Sequence, residues 1–594
     1  MLVALAQTCK TLNTIALHAF FKRCRGEFRT PVEGTLTSFR TPVEMLDATR
    51  TALFVKRLYS LTWFFEAGCE CDISDSQADP ACRFLPLESQ TSTNIANTVT
   101  RTGPLWRTFD EIANLRAIFS RIQEVRDVCL DFMTVDTWLD STLRRTHLEV
   151  WDSSVDPELW MMFVDLLDNI VDSGCRSLVV RNGEELLRLL PCKDSMDSAL
   201  TTTSKWKNLN LQSLTVHSDI LLRPPSSDWL LFLLTSSACA RSLTRLSIRS
   251  DMTSLPSSLL VSLNLPNLVQ FEMQATYTTL LQDQEITPAK FEDMSAFLGT
   301  HSDSLRVVSL EGVEVPPPTR TDTTAGLSFD SNKPVFPKLE SFSAHPAYIA
   351  WVFNLAVRSQ SKITLGSLTT ITIKSEDCLS VDPFKEQHFD YPLFNMAFEA
   401  LIAWQNGYRN GEKVYETRSR TKNKNFTPRA IDLNLQFVCQ HGLDKWFASH
   451  LPPAQVQAPN FGRNFYSPAP SILTQLTCIR TLVVSDLFSD SLSEETVNLL
   501  PDWLALISNA NNSSGPSQRG GKHPETASGT PSGLQKFDFV DFEGDKDQFI
   551  GQVAEKCIGL KWVQVGLLWN NPTVNLDEFR AGASMENAND PNAV

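Results

Sequence analysis

Large apolar residues recur along the chain in short segments with the spacing L-x-x-L-x-L, in which any large apolar residue can occupy an L position. The last two L positions flank a single x position, as in a strand that buries one face. The clearest copies begin at Leu211, Leu243, Leu268, Leu305 and Leu368. Weaker copies begin at Val125, Cys175, Leu339, Ile479, Leu534 and Leu560. The pattern predicts short strands, and we expect the five clear ones to be parallel and in chain order, with Leu246 and Ile371 buried.

Three segments with the apolar spacing of a helix lie between these strands, at residues 227–240, 287–304 and 547–559. Strand and helix therefore alternate at intervals of about 30 residues, which is typical of a solenoid of stacked units. A single unit cannot bury its own apolar face, so each unit packs on its neighbours. A doubly wound α/β domain alternates the same elements and stays open as an alternative, although the repeated strand sequence favours the solenoid.

The strand motif resembles the leucine-rich repeat, in the irregular form that follows F-boxes in fungal proteins. In the segments Cys239–Leu243 and Cys557–Leu560, a Cys shortly precedes the first Leu of a strand motif, which is similar to cysteine-containing versions of that repeat. The resemblance implies an α/β fold: an irregular leucine-rich-repeat solenoid, with parallel strands and with helices on the convex side, preceded by a small α-helical N-terminal segment.

The leucine-rich repeat commonly has Asn or Cys three residues after the strand motif, where these side chains form a ladder. Here those positions hold Asp219, Asp251, Thr276, Val313 and Glu376. We therefore expect no ladder, and an irregular curvature.

The chain opens with apolar residues at alternating spacings of three and four, which place them on one stripe of a helix. These residues are Leu2, Leu5, Cys9, Leu12, Ala16 and Ala19. The pattern by itself fits any short helix docked on a core. The residues themselves, LVALAQTCKTLNTIALHAFFKR at 2–23, resemble the second half of a fungal F-box.

An F-box docks on the small adaptor subunit of a cullin-type (SCF) ubiquitin ligase. The resemblance therefore implies adaptor contacts by Leu2, Leu5, Cys9 and Leu12. The first half of the motif, an LPxE turn with its own helix, does not precede these residues. We expect a truncated start, weak or undetectable adaptor binding by this chain, and strong binding once an upstream helix is restored.

The predicted elements divide the chain into four parts. Residues 1–27 form the F-box-like segment, 28–110 a helical and loop connector, 111–578 the solenoid, and 579–594 a disordered tail. Within the connector, apolar residues near one side predict a helix over residues 45–67.

Three insertions interrupt the predicted solenoid. Residues 313–337 are rich in Pro and Thr and predict a loop. Residues 508–533 have almost no apolar side chains, which predicts a segment without fixed structure that a protease would cut first. Residues 408–429 carry an excess of basic residues and are interpreted as a solvated insertion, with a nuclear import signal or a site for an acidic partner as alternatives.

The formal net charge of −15 disfavours nucleic acid and anionic membranes as partners, because their phosphates repel an acidic chain. No stretch approaches the roughly 18 consecutive apolar residues of a spanning helix. Lys10 and His18 interrupt the opening apolar residues, unlike a secretion signal. We expect a cytosolic or nuclear protein whose 13 cysteines are mostly buried thiols.

The sequence contains no complete motif for phosphate binding or catalysis. GPSQRGGKH at 515–523 is not a phosphate loop, because His523 replaces the required Ser or Thr and Pro516 stands at a required Gly. We find no motif of a known catalytic site, and we predict a chain that is not an enzyme and uses no cofactor.

Two cysteine-containing groups have residue types that bind zinc but lack a standard zinc spacing. They are Cys69, Cys71 and Cys82, and Cys439, His441 and His450. Because the second group fits a helix with a buried thiol better, we predict no metal site.

The leading functional hypothesis is a substrate-recognition adaptor of an SCF ubiquitin ligase, which presents the concave strand face to an unknown protein substrate. The alternative is a leucine-rich-repeat scaffold with a decayed F-box and no ubiquitin role. A GTPase activator on the same fold would need a strongly acidic tail, and the tail from Phe579 has only Glu586 and Asp590 as acids.

Overall fold

The structure is a computed structural model in which the chain divides into two compact units, Met1–Leu268 and Val269–Val594. The residues that it describes are 2–23, 27–30, 33–37, 44–52, 55–66, 106–137, 157–184, 206–223, 226–250, 257–275, 289–316, 335–359, 365–375, 391–416, 430–437, 442–450, 471–486, 492–512, 533–540, 542, 544–566 and 573–581.

In the first unit, the strands follow one another in chain order. They are β1 (Glu27–Thr30), β2 (Glu33–Thr37), β3 (Arg57–Phe64), β4 (Glu124–Asp131), β5 (Ser177–Arg181), β6 (Ser213–His217) and β7 (Arg245–Ser250). β1 and β2 are antiparallel, and β2 to β7 are parallel neighbours. The helices of this unit include α1 (Leu2–Ala6), α2 (Lys10–Arg23), α3 (Glu44–Thr51), α4 (Trp106–Phe119), α5 (Pro157–Asp172), α6 (Ser226–Thr235), α7 (Ser237–Ser242) and α8 (Ser257–Ser262).

The second unit repeats this arrangement. Its strands are β8 (Gln270–Ala275), β9 (Val307–Glu311), β10 (Ser341–Ala344), β11 (Thr370–Ser375), β12 (Ile431–Phe437), β13 (Ile479–Asp486), β14 (Lys536–Val540), β15 (Trp562–Gly566) and β16 (Val574–Asn575). β8 to β15 are parallel neighbours, and β16 is antiparallel to β15. Its helices include α9 (Phe291–His301), α10 (Pro346–Arg358), α11 (Tyr391–Glu416), α12 (Gly442–Ala448), α13 (Glu494–Asn512) and α14 (Lys546–Lys556). Among the described helices of both units, none is long and apolar enough to cross a membrane.

The five clear strand motifs all form strands, and their parallel order is confirmed within each unit. In the first unit, the motifs at Leu211 and Leu243 give the neighbours β6 and β7. In the second unit, the motifs at Leu268, Leu305 and Leu368 give β8, β9 and β11, and β10 lies between β9 and β11. The coarse fold class, an α/β protein with mostly parallel strands, is therefore confirmed.

The helix predicted over residues 45–67 is confirmed up to Thr51 and is wrong over Arg57–Phe64. Helix α3 ends at Thr51, and strand β3 begins at Arg57. Leu58, Leu61 and Trp63 are buried, and β3 pairs with β4 along its length. The three- and four-residue spacings from Leu58 suit a helix, but the alternation of buried and half-exposed residues after Leu61 has the period of a strand.

Two predicted insertions begin inside helices. Helix α11 runs to Glu416, and α13 runs to Asn512. Ser508, at the start of the segment expected to lack fixed structure, is buried in α13. Composition placed these boundaries too early, because a helix continues for several residues past its last apolar side chain when its earlier turns are packed. The remainders, 417–429 and 513–532, lie outside the described residues, as does most of 313–337.

Buried and half-exposed residues alternate along the strands, so each unit has a buried strand face and a second face, here called the open face. Aromatic rings join the buried face to the helices. Phe271 of β8 packs on Phe297 of α9 with ring centroids 4.5 Å apart, and Phe437 of β12 lies 5.3 Å from Phe394 of α11. Leu246, in β7, and Ile371, in β11, are fully buried, as the motif predicted.

Strand β16 closes the outer edge of the second unit's parallel strands. It pairs with β15 through Val574 and Asn575. Just after it, the Arg580 guanidinium donates hydrogen bonds to the backbone carbonyls of Ala554, Cys557 and Leu560, at 2.9, 2.8 and 3.2 Å. These carbonyls belong to the end of α14 and the turn after it, so one side chain satisfies several acceptors that a helix end leaves unpaired.

Glu111, in α4, is a buried carboxylate of the first unit. It is 4% exposed and accepts hydrogen bonds from Trp63 Nε1 at 3.3 Å and from the backbone N–H of Glu66 at 3.1 Å. Arg107 Nε lies 3.5 Å from its other oxygen. Burial raises the pKa of Glu111 to about 7, although the two hydrogen bonds and the arginine charge oppose the rise.

The substitution Glu111→Gln should flatten the dependence of stability on pH. Because the folded pKa of about 7 lies above the ordinary value of 4.5, the folded state binds the proton more tightly. That contribution is complete below the ordinary pKa and is lost as the pH rises through the folded pKa. Between about pH 4.5 and 7, we expect the wild type to lose about 2–3 kcal/mol relative to the variant.

Urea unfolding of both proteins at several pH values measures this difference. Glu124→Gln is the matched control, because it removes a carboxylate from an exposed position of the same unit. Parallel stability curves for the wild type and Glu111→Gln would contradict the prediction.

Candidate functional site

The open face of the first unit consists of side chains in rows that cross the strands. From the amino ends of β4 to β7, the rows are Asp127–Ser177–Ser213–Arg245, then Cys129–Val179–Thr215–Ser247, and then, on β4 to β6, Asp131–Arg181–His217. Most of these side chains are half-exposed. Hydroxyl groups occupy the centre of the face, and charged groups lie toward both ends of the strands.

The charges on β3 and β4 are largely paired with one another. The Arg126 guanidinium lies over the Tyr59 ring, 4.9 Å from its centroid, and donates to the Tyr59 hydroxyl at 2.8 Å. It also lies 3.8 Å from a carboxylate oxygen of Asp127, and Arg57 lies 3.5 Å from Glu124. This part of the face is therefore close to neutral.

The open face of the second unit is polar and also internally paired. Its central row is Glu272–Ser309–Ser343–Thr372–Asn434–Val483–Asp538–Gln564.

Three basic side chains of the second unit each reach a carboxylate. The ion pairs are Lys374–Glu311 at 2.6 Å, Arg480–Asp432 at 2.8 Å and Lys536–Asp538 at 2.7 Å. The first of these pairs reaches across β10, which lies between β9 and β11.

A ladder of polar groups links the carboxyl ends of β4 to β7. The Asn182 amide donates to Asp131 at 2.6 Å, the Ser218 hydroxyl donates to the Asn182 backbone carbonyl, and the Ser250 hydroxyl donates to Asp219 at 2.7 Å. All but Asn182 are buried. Asn182 has a φ of 60°, which asparagine tolerates better than most residues. The expectation of no ladder is therefore wrong for this unit. It considered only the third residue after each strand motif, whereas these hydrogen bonds also involve the first and second residues after the motif.

The predicted adaptor-binding residues lie on two helices instead of one. Helix α1 ends at Ala6, where both the backbone N–H and the hydroxyl of Thr8 donate to the Leu5 carbonyl, and α2 begins at Lys10. Leu5 is 42% exposed and Cys9 is also exposed, whereas Leu2 and Leu12 are half-buried.

A different set of residues faces the core in these helices. It consists of Ala6, Asn13, Ala16, Leu17 and Phe21. The Asn13 amide donates to the Ala6 carbonyl at 3.1 Å and to the Thr51 carbonyl at 2.8 Å, so it holds α1 and α3 against α2. The predicted single stripe is therefore wrong: Ala16 is buried, while Leu5, Cys9 and Ala19 face away.

The candidate chemical sites of the sequence fall mostly outside the described residues. Cys69, Cys71, Cys82, Cys439, His441 and the segment 515–523 all lie there. His450 is described, and burial lowers the pKa of its ring. Within the part of the chain that the structure describes, no group of three or more His, Cys, Asp or Glu side chains is placed to hold a metal ion.

Thiol chemistry is disfavoured at the described cysteines with shifted pKa values. Burial raises the pKa of Cys175, Cys239 and Cys557 to about 12. Burial also raises the pKa of Cys129 on the open face, although the charge of Arg181 opposes the rise. A thiol with a raised pKa is protonated at neutral pH and is a poor nucleophile.

Comparisons of this chain with protein-family models and with curated proteins find no match. The open faces and the N-terminal helices are therefore interpreted from their own geometry and chemistry.

Proposed function

We propose that this chain is a non-catalytic protein-interaction module, an irregular leucine-rich-repeat solenoid that presents its open face to a protein partner. One observation carries the proposal: the parallel strands bury one face and leave the other half-exposed. In a doubly wound domain, helices would cover both faces of a parallel sheet. The open face therefore favours the solenoid over that alternative.

The dimensions of the face suit a protein better than a small molecule. Adjacent strands lie about 4.8 Å apart, so β8 to β15 extend across roughly 34 Å. A small-molecule site is a closed pocket lined mainly by apolar groups, whereas this surface is wide and polar. Parallel, in-register strands also hold its side chains on a rigid frame, which lowers the entropy cost of binding a large partner.

The N-terminal helices supply the second half of the proposal, which is docking on the adaptor subunit of an SCF ubiquitin ligase. Leu5 and Cys9 are exposed, and Leu2 and Leu12 are half-buried, so all four present some apolar surface outward. Ile15, on the same side of α2 as Leu12, is 61% exposed. The second candidate function is a scaffold with the same open face and no ubiquitin role.

Photo-crosslinking tests the open face. A photoreactive amino acid at Ser343 or Val483 should crosslink to a partner protein in cells, and the same group at the exposed helix positions Val357 or Leu506 should not. Crosslinks that arise only from the helix positions would overturn the proposal.

Calorimetric titration with the adaptor subunit separates the two functions. An SCF role predicts that a version of the chain preceded by an F-box first helix binds, and that Leu5→Glu weakens the binding while Ile558→Glu, at a 77% exposed position, does not. If the extended version fails to bind while the open face still crosslinks, the scaffold takes the place of the ligase adaptor.

A further inference from the structure

Two neighbouring helices of the first unit, α5 and α6, carry large apolar side chains on their solvent side. Met161 of α5 and Phe232 of α6 are each 40% exposed, and Leu231 is half-exposed. Single exposed apolar residues are common on protein surfaces, whereas a contiguous group of them marks a site of interaction. A contiguous group requires a connection between the two helices, and Trp206 supplies it.

Trp206, which precedes β6, joins the two helices. Its ring centroid lies 5.2 Å from that of Phe232, and its indole N–H donates to Asp168 of α5 at 3.0 Å. The same Asp168 oxygen accepts from the indole N–H of the buried Trp229 of α6 at 2.7 Å, so α5 and α6 are held together at this point. Because Trp206 is itself half-exposed, it extends the apolar surface from Phe232 toward α5.

Helical spacing places the exposed residues of each helix on one stripe. The stripe of α5 is Met161, Asp165, Asp168 and Asp172. The stripe of α6 is Asp228, Leu231, Phe232 and Thr235. All eight side chains are exposed or half-exposed. Both stripes therefore face away from the core, and they combine apolar groups with carboxylates.

The charge of this surface is negative. Neither α5 nor α6 contains Lys or Arg. Asp165 forms an ion pair with an arginine of α4 at 3.2 Å, but Asp172 accepts only from the backbone N–H of Lys207, at 2.7 Å. In the described part of the chain, the exposed Asp228 has no cation partner, and neither Lys207 nor Arg223 forms an ion pair with these carboxylates.

We propose that α5 and α6 bind a basic amphipathic helix of a protein partner. Its apolar stripe packs on Met161, Trp206 and Phe232, and its Lys or Arg residues pair with Asp172 and Asp228. Charge selects this occupant: the apolar groups suit any apolar stripe, but the carboxylates favour one with basic flanks. The surface lies on the helices and not on the open face, so the inference goes beyond the proposed function and does not depend on it.

The dimensions of the surface fit a helix. Met161 and Asp172 are eleven residues apart, which is about 16 Å along α5, and a partner helix covers that length in about three turns. Apolar anchors at i, i+4 and i+7 of the partner span about 10 Å of it, as in other helices that dock in a groove. Two copies of this surface would repel each other, because both carry carboxylates.

The apolar part is tested by a fluorescence-anisotropy titration of the full chain with a fluorescein-labelled amphipathic peptide of Leu and Lys, about four helical turns long. Phe232→Ala should weaken binding about five- to tenfold, because it removes a central aromatic anchor. Met161→Ala should weaken it about two- to fivefold. Val357→Ala is the matched control, because Val357 is 47% exposed on α10 of the second unit, and it should change little.

The charged part is tested in the same titration. The double variant Asp172→Asn, Asp228→Asn should bind the Leu–Lys peptide about two- to fivefold more weakly, with a smaller dependence on salt. The double variant Asp303→Asn, Asp547→Asn removes two exposed carboxylates of the second unit and is the control for net charge. An equal loss in both double variants would mean that the peptide responds to net charge alone, and would overturn the inference.

Two further measurements locate the peptide. A photoreactive leucine in the Leu–Lys peptide should crosslink to α5 or α6, as mapped by mass spectrometry. A peptide with Glu in place of every Lys should not bind. The Asp→Asn double variant keeps every apolar contact, so it remains a test even if Phe232→Ala lowers the stability of the fold. Unchanged affinity in both variants, crosslinks confined to other elements, or equal binding of the Leu–Glu peptide would each overturn the inference.

Discussion

Replacing Trp446 with alanine is expected to lower the free energy of unfolding by about 3–5 kcal/mol, the range for truncating a large buried aromatic side chain. Trp446, in α12, is fully buried, and its ring lies 5.1 Å from that of Phe394 and 5.7 Å from that of Trp503. Its indole N–H donates to the Asn395 side chain at 3.1 Å. The substitution therefore creates a cavity where three helices meet and also leaves the half-buried Asn395 side chain without its donor.

Chemical denaturation followed by circular dichroism measures this loss. Trp562→Ala is the matched control, because Trp562 is 42% exposed on β15 and should change stability by less than about 0.5 kcal/mol. Equal effects of the two substitutions would show that the aromatic cluster around Trp446 is not tightly packed.

Leu246→Ala and Ile371→Ala should each cost about 2–4 kcal/mol, through lost burial and the cavity left behind. Both side chains are fully buried, one in β7 of the first unit and the other in β11 of the second. Their neighbours Arg245 and Thr370 point to the open face, so Arg245→Ala and Thr370→Ala provide controls on the same strands.

Urea unfolding of the four variants tests the assignment of faces. We expect losses below about 0.5 kcal/mol for the exposed Arg245 and somewhat larger ones for the half-buried Thr370. A one-residue register slip would exchange the two faces, so losses below about 0.5 kcal/mol for both Leu246→Ala and Ile371→Ala would mean that the inward-facing set is wrong.

Strand prediction from this sequence succeeds where a segment has all three apolar positions of the L-x-x-L-x-L motif. Leu246 and Ile371 are such cases. It misses β12, whose IDLNLQF sequence alternates apolar and polar residues without forming a clear copy of the motif. It mistakes β3 for a helix, because Leu58, Leu61 and Phe65 fit a helical spacing as well as a strand with an irregular start. This segment is a strand because it pairs with β4, and the local sequence does not reveal that pairing.

The candidate sites were harder to predict, because they depend on which residues share a face across different strands. Arg181 lies far from Arg245 in the chain, and only the strand register brings the two onto one surface. One signal was available: the strands that contain them have no acidic residue in an acidic chain. In the N-terminal helices, the break after Ala6 and the hydrogen bonds of Asn13 decide which side chains face outward, and apolar spacing carries no information about either.

Strand β16 and Arg580 have a consequence for self-association. A parallel array of strands ends in a row of unpaired N–H and C=O groups, and such a row is a template for adding a strand from another molecule. Val574 and Asn575 occupy part of that row on β15, and Arg580 fastens the segment that follows to the end of α14. A chain that loses this short segment would expose the edge of β15, where the same edge of another copy could pair with it. A few residues at this edge therefore help to keep copies of this protein from adding to one another edge to edge.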